Sequence, residues 1–496
     1  MKIKGVSKNK NYQHHLKSFE FRDEQAKKSF EFRDEQAKKS FEFRDCCSIM
    51  LLGESMKRKI YEELIEWKNN IKNNKPLMIL GVRQSGKTYI IKEFIKNEFK
   101  KYKEINLKED TNVVQLYEGN ATSDEKYYQL KMMIDFDFDQ EDSILFVDEI
   151  QESEELIAEL KYFCEKHNNV RIVCAGSLLG VKLKRLKTSF PVGKVWMKYL
   201  YPMDFEEFLM AYNRMDLIDY IKKCYAKLVP ISEPLHNMLL DYYRIYLVTG
   251  GMPESVKNMV DTKNDYIKYN KNILSDIITA YLNDMKHYVT SEQETLKIQS
   301  IYKSIPSQLN NASKKFQYSL VNENARSREY AVSADWLENS NMVLKCKKVN
   351  LPEMPLEGYT QGDTFKYYLS DVGILNNLLK MRMEDIILDK KFIYKGIIAE
   401  NYVANQLKSS GLELYYWKND NGTAEVDFLI DTGDGVVPIE VKSSNNTQSK
   451  SLKVYNEMYK PAYSIRLSTK NFGYNSKTKI KSIPLYAAFL IVELTK

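Results

Sequence analysis

Leu77-Met78-Ile79-Leu80-Gly81-Val82-Arg83-Gln84-Ser85-Gly86-Lys87-Thr88 is the stretch that decides the fold. Lys75-Pro76 ends the helical pattern of residues 57–73, in which Ile60, Leu64, Ile65 and Trp67 recur at helical spacing. The four apolar residues that follow, bounded by Gly81, read as a short buried parallel strand. The next eight residues fit GxxxxGK followed by Ser or Thr, and helical sequence resumes at Lys87. Glycines let the backbone curl until its N–H groups point at phosphate oxygens, and the helix aims its positive end at the same anion. The Lys87 ammonium reaches the outer phosphates, and the Thr88 hydroxyl ligates magnesium. Gly81, Val82, Arg83, Gln84, Ser85, Gly86, Lys87 and Thr88 are the candidate nucleotide-binding residues, with ATP and Mg2+ as the expected cofactors. Four fixed positions arise by chance in roughly a few per cent of chains this long. A strand before the motif and a helix after it are what the mechanism requires.

Ser143-Ile144-Leu145-Phe146-Val147-Asp148-Glu149 is a second buried strand, and it delivers two carboxylates at its C-terminal end. Ligands sit at that end in open α/β sheets. Asp148 is the candidate magnesium residue, acting through water. Glu149 is the candidate general base that orients and polarises the attacking water. An apolar strand ending in Asp-Glu is weak evidence alone and often only a helix start. Its distance behind the phosphate loop, two or three α/β units, strengthens it. In Ile172-Val173-Cys174-Ala175-Gly176-Ser177, Ser177 is placed to touch the γ-phosphate or the attacking water, with a helix N-cap the competing role. Lys87, Glu149 and Ser177 are thus the candidate catalytic residues. Strands alternating with helices from Met56 to Met210 predict a parallel-sheet α/β domain.

Four segments are expected in the 496 residues, three of them folded at about 100–200 residues per domain. Residues 1–55 hold KSFEFRDEQAK at Lys17 and Lys28 and a truncated copy from Lys39. Two and a half copies cannot build a stable array, so this extension is expected to be disordered. The α/β domain covers 56–210. A helical region covers 211–350, ending in two or three helices and a hairpin that read as a winged helix-turn-helix. Lys314, Lys315, Arg326, Arg328 and Lys345 are its basic residues available to phosphate, against ordinary solvated surface. Residues 351–496 mix helices and strands again. The net charge of +7 permits DNA contact without demanding it. The six Cys form no CxxC pair and no His lies at ligand spacing, which argues against structural zinc. Unpaired thiols, the lack of an N-terminal apolar core and the lack of a bilayer-length apolar run point to a soluble, cytoplasmic protein with no membrane partner.

Glu400 lies on a predicted helix. Asp427 lies in the strand Ala424-Glu425-Val426-Asp427-Phe428-Leu429-Ile430, and Val436-Val437-Pro438-Ile439-Glu440-Val441-Lys442 follows after a turn. Glu440 and Lys442, two apart, share one strand face. This pattern resembles the restriction-endonuclease-like nuclease fold. The resemblance implies a second divalent metal held by Asp427 and Glu440, completed by Glu400, with Lys442 positioning water. Alternating charge on an exposed hairpin is the competing account, and such folds also serve as non-catalytic binders.

From Met56 onward the chain also resembles prokaryotic AAA+-type ATPases that carry a C-terminal domain of uncharacterised function. The matching stretches are the phosphate loop, 145–151, Ala175-Gly176-Ser177, Tyr201-Pro202-Met203-Asp204-Phe205-Glu206-Glu207-Phe208, Gly250-Gly251-Met252-Pro253-Glu254 and Tyr368-Leu369-Ser370-Asp371-Val372-Gly373-Ile374-Leu375. The resemblance implies an AAA+ fold, nucleotide-dependent action and a homo-oligomer in which a neighbour supplies an arginine finger. Family members often have Gly-Arg where this chain has Gly193-Lys194, leaving Arg185 as the alternative finger. Three functions stay open: an ATPase coupled to duplex DNA, a nuclease gated by ATP, or a nucleotide switch that binds protein partners through a non-catalytic C-terminal domain.

Overall fold

The computed structural model describes residues 56–495, apart from 71–74, 168, 178–179, 182, 184–189, 288, 290, 312, 324, 391–392, 420 and 445–449. The N-terminal repeat and Arg185 lie outside the described residues. By internal contacts the chain divides into two units. One comprises Ser55–Asn258 and Asn270–Lys496 and holds both sheets. The described part of the other is Met259–Tyr269, a helix end and turns in which the Thr262 hydroxyl donates to the Met259 carbonyl.

The first sheet has the order β2-β3-β4-β1-β5, all parallel. Its strands are β1 (Leu77–Leu80), β2 (Lys101–Asn106), β3 (Ser143–Asp148), β4 (Ile172–Ala175) and β5 (Trp196–Tyr199). Side chains alternate across a strand, so each face has its own core. Leu77 and Ile79 of β1 meet α1 (Ile60–Asn69) through Leu64 and Trp67, and α2 (Lys87–Glu98) through Ile90 and Phe94. Met78 and Leu80 face the other side. There α3 (Thr111–Glu118), α4 (Ser123–Met133) and α5 (Glu154–Lys166) bury Val113, Tyr127, Leu156 and Phe163. Helices on both faces make this a doubly wound α/β layer, and its sheet is parallel as expected.

Helices follow: α6 (Phe205–Ala211), α7 (Met215–Lys227), α8 (Glu233–Thr249), α9 (Pro253–Asp261), α10 (Asn272–His287), α11 (Glu292–Leu309) and α12 (Ser327–Asn339). The hairpin after α12 is β6 (Val343–Val349) with β7 (Thr360–Leu369), paired antiparallel. It does not stand out as a wing. It forms one edge of a mixed eight-stranded sheet of order β12-β13-β11-β10-β9-β8-β6-β7. The physical reason is burial: Val343, Leu344, Cys346, Tyr367, Tyr368 and Leu369 are all buried, and β6 pairs in parallel with β8. A boundary at 350/351 therefore falls inside one hairpin of one sheet.

The remaining elements are α13 (Val372–Leu378), α14 (Met383–Ile387), α15 (Lys395–Ser409), β8 (Leu414–Lys418), β9 (Glu425–Asp431), β10 (Val436–Val441), α16 (Lys450–Tyr459), β11 (Ser464–Ser468), β12 (Gly473–Asn475) and β13 (Ile480–Pro484). A junction ties this half to the first. Asp371, the N-cap of α13, accepts from the Ile374 N–H (3.0 Å) and from the Gly251 N–H (2.6 Å). Met203, just after β5 and Tyr201-Pro202, donates its N–H to the Gly251 carbonyl at 2.7 Å. Three stretches quoted for the family resemblance thus meet at one point. Among the described residues no helix is long and apolar enough to cross a membrane.

Candidate functional site

The phosphate loop is built by close packing around β1. Gly81 has φ +148°, and a Cβ there would sit 2.2 Å from the Leu200 carbonyl oxygen, so only glycine fits. Leu200 is brought there by the β1–β5 pairing; its N–H donates to the Leu80 carbonyl at 2.8 Å. Gly86 then opens α2, and the first helical bond of this turn is from the Ile90 N–H to the Gly86 carbonyl. The N–H groups of the first turn lack helical partners, which makes a ready anion site. Lys87 is buried under the loop, its ammonium donating to the carbonyls of Gly81 (2.9 Å) and Val82 (2.8 Å). Burial pulls its pKa down to about 8, with the Glu149 and Asp148 carboxylates acting against that pull.

Asp148, the last residue of β3, faces Thr88 across the loop. The Thr88 hydroxyl donates to its Oδ2 at 2.9 Å, and the Glu149 N–H donates to its Oδ1 at 3.0 Å. Burial raises the Asp148 pKa. A hydroxyl and a carboxylate side by side are the oxygen donors a small hard cation takes, so Thr88 and Asp148 fit magnesium. Glu149 holds left-handed backbone at φ +54°, an uncommon state for a non-glycine residue and frequent at working sites. Its Oε2 accepts from Lys108 at 3.1 Å and from Gln151. Ser177 lies two residues beyond β4, half-buried, and β4 runs between β1 and β3. Its place is therefore between the loop and Asp148. Lys194 pairs with Glu165 at 3.0 Å.

Two residues outside the sequence motifs hold the loop. Arg58, just ahead of α1, donates to the carbonyls of Ser85 (2.8 Å) and Tyr201 (2.7 Å) and pairs with Glu207 at 3.0 Å. No spacing rule marks it. Asp284 of α10 pairs with Arg83. Its signal was legible: it stands within the buried stripe Ile273, Ile277, Tyr281, Met285, where an unpaired charge is costly. Pro253 packs over Gly86, where a Cβ would lie 3.4 Å from its ring.

The C-terminal candidates also come together. The antiparallel register Ile439↔Phe428, continued by one pair, sets Asp427 across from Glu440. The Val441 N–H donates to Asp427 Oδ2 at 2.8 Å. Glu400 of α15 accepts from the Tyr368 hydroxyl at 3.3 Å. Lys314 enters from the segment after α11; its ammonium pairs with Glu400 and lies 3.8 Å from Asp427. Lys442 pairs with Glu440, while Lys366 and Lys418 pair with Glu425. Four ammonium groups thus match four carboxylates. Burial, then the Glu400 charge, pushes the Asp427 pKa up to about 8 against the pull of Lys314. Glu440 Oε2 is buried and unbonded, but one open oxygen is not a metal centre. Among the described residues no three His, Cys, Asp or Glu side chains are placed to hold a metal. The expected second divalent metal does not fit this arrangement, because Lys314 already supplies the positive charge between Glu400 and Asp427. Lys314 and Lys345, two of the expected phosphate contacts, are spent on internal pairs, Lys345 with Glu338 at 2.9 Å.

Comparison with family models matches residues 73–209 to an AAA domain. This first sheet is an AAA-type ATPase fold, the nucleotide-binding architecture implied by the loop. Residues 240–385 and 395–487 match two domains of unknown function, and the division falls between β7 and β8 of the shared sheet. A search of curated proteins returned no match. Among solved structures, similarity extends to a Walker-type ATPase of Pyrococcus abyssi, with 13% identity over 68% of this chain and 99% of that one and a TM-score of 0.41. It extends also to the ORC2 protein of Aeropyrum pernix in its ADPNP–ADP complexes, with 12% identity over 69% and 96% and a TM-score of 0.36.

Proposed function

We propose that this chain hydrolyses ATP at the Gly81–Thr88 loop and uses the cycle to move its helical and C-terminal parts. The observation that carries the reading is the Thr88–Asp148 contact, which joins the loop to the acidic strand end. The loop N–H groups and the start of α2 hold the phosphates. Lys87 leaves its carbonyl partners and neutralises the outer phosphates. Thr88 and Asp148 hold magnesium, which when bound supplies charge stabilisation to the phosphate oxygens. Glu149 takes a proton from the attacking water as its oxygen bonds the γ-phosphorus and the bond to the β–γ bridging oxygen breaks. Ser177 orients that water. The expected product pair is ADP and phosphate. ATP turnover by the full chain, lost in Lys87→Ala together with ATP binding, would support the reading; turnover that persists in Lys87→Ala would refute it.

The load in this proposal is duplex DNA. The order α15-β8-β9-β10-α16-β11, with Asp427 opposite Glu440, supports a nuclease-like fold, and the internal pairing of its carboxylates favours binding DNA over cutting it. Arg326 and Arg328, exposed at the start of α12, and the half-buried Lys315 are the remaining phosphate contacts. An affinity for duplex DNA that falls steeply with salt supports this load; none at low salt leaves protein partners as the load. An oligomer completed by a neighbour's finger, and a reducing cytoplasm that suits the thiols of Cys174, Cys224 and Cys346, complete the proposal.

A further inference from the structure

Helix α10 packs one face through Ile273, Leu274, Ile277, Ile278, Tyr281 and Met285, at the three- and four-residue spacing of a buried stripe. Asp284 interrupts that stripe with a carboxylate only 4% exposed. A charge so placed is unfavourable unless it is paired. Its Oδ1 pairs with Arg83 of the phosphate loop, while its Oδ2 is buried and accepts no hydrogen bond. One turn earlier, the Tyr281 hydroxyl donates to the Arg83 carbonyl at 3.3 Å. Helix α10 therefore grips both the side chain and the backbone of one loop residue. Asp284 also lies within electrostatic reach of Lys87 and Glu149, the groups that face the outer phosphates.

We infer that Asp284 is a nucleotide-sensing positioning residue: without nucleotide it latches α10 to Arg83, and a bound triphosphate opens the latch. The inference rests on the ATP site proposed above. A γ-phosphate near Lys87 draws Arg83 toward itself and repels the carboxylate, whose open oxygen offers it no donor. The movement has a route outward. At the other end of α10, Ser275 and the Asn377 amide are hydrogen-bonded at 3.1 Å, and Asn377 belongs to α13, whose cap Asp371 holds Gly251. A shift of α10 therefore pulls on the junction between the two sheets.

The test uses the full chain and fluorescent ATP and ADP analogues, titrated against the parent, Asp284→Asn, Asp284→Glu, Arg83→Ala and the Arg83→Ala/Asp284→Asn pair. Asparagine keeps the shape and an acceptor for Arg83 and removes the charge. The expected result is ATP affinity about fivefold or more tighter in Asp284→Asn, ADP affinity changed less than twofold, Asp284→Glu close to the parent, and non-additivity in the pair. Hydrogen exchange of α10 should rise on adding ATP to the parent and be raised already in Asp284→Asn. Equal changes for ATP and ADP, or no change for either with α10 unresponsive to ATP, would overturn the latch and leave the site standing. A parent that binds no ATP would overturn the site, and the latch with it.

Discussion

Raising the pH from 7 to 9.5 should weaken ATP binding through a single side chain. Lys87 must be protonated to meet the phosphates, and burial sets its free-state pKa at about 8. The sign follows from the direction of the shift. Bound phosphates raise the pKa again, so binding takes up a proton wherever the free lysine has lost one. Below pH 8 the affinity is flat. Above it the affinity falls about tenfold per unit, up to the pKa in the complex. Between pH 7 and 9.5 the loss comes to about thirtyfold, or ~2 kcal/mol. The assay is isothermal titration calorimetry in saturating magnesium, in two buffers of different ionisation enthalpy. At pH 9 close to one proton should be taken up per ATP. A dissociation constant that changes less than threefold across the range, with no proton uptake, would refute the buried-lysine account.

Three further outcomes bear on the framework around the site. Asp371→Ala leaves the Gly251 and Ile374 N–H groups without their buried acceptor, and chemical denaturation should show a loss of about 3 kcal/mol. Gly251→Ala would push a Cβ to within 2.0 Å of the Met203 carbonyl oxygen; a loss of about 2 kcal/mol or more is expected in the same assay. For Asp427 the folded pKa, about 8, lies above the unfolded value, so the folded state binds the extra proton and stability falls as pH rises from about 4 to 8. Asp427→Asn should flatten that slope and gain on the parent toward pH 8; parallel pH profiles of melting temperature would contradict the assignment.

The parts of the fold that were legible in the sequence were those buried without interruption. Leu77–Leu80, Ser143–Asp148 and Ile172–Ala175 are fully buried strands, and each appeared as an unbroken apolar run. The edge strands did not. Lys101–Asn106 exposes Lys101 and Tyr102, and Trp196–Tyr199 is buried on neither face, so neither shows a run. The hairpin at β6 and β7 was visible as a hairpin but not as part of a sheet, because its pairing with β8 joins residues some 60–70 positions apart. At the site, the loop and Asp148 followed from spacing alone. Arg58 did not, and Asp284 showed only as a charge within a buried stripe, since each reaches the loop from another element. In the C-terminal cluster the structure sets Asp427, Glu440 and Lys442 together, with Glu400 joined to Asp427 through Lys314. What the local pattern could not reveal was Lys314, whose distance along the chain hides the counter-charge set against Glu400 and Asp427.

In the proposed mechanism Glu149 performs the chemistry while the loop performs the binding. The measurement is ATP binding and single-turnover phosphate release by the full chain and by Glu149→Gln. Binding should stay within a few-fold of the parent, and phosphate release should be slower by about a hundredfold or more in the variant. Release at the parental rate from a variant that binds ATP normally would contradict it.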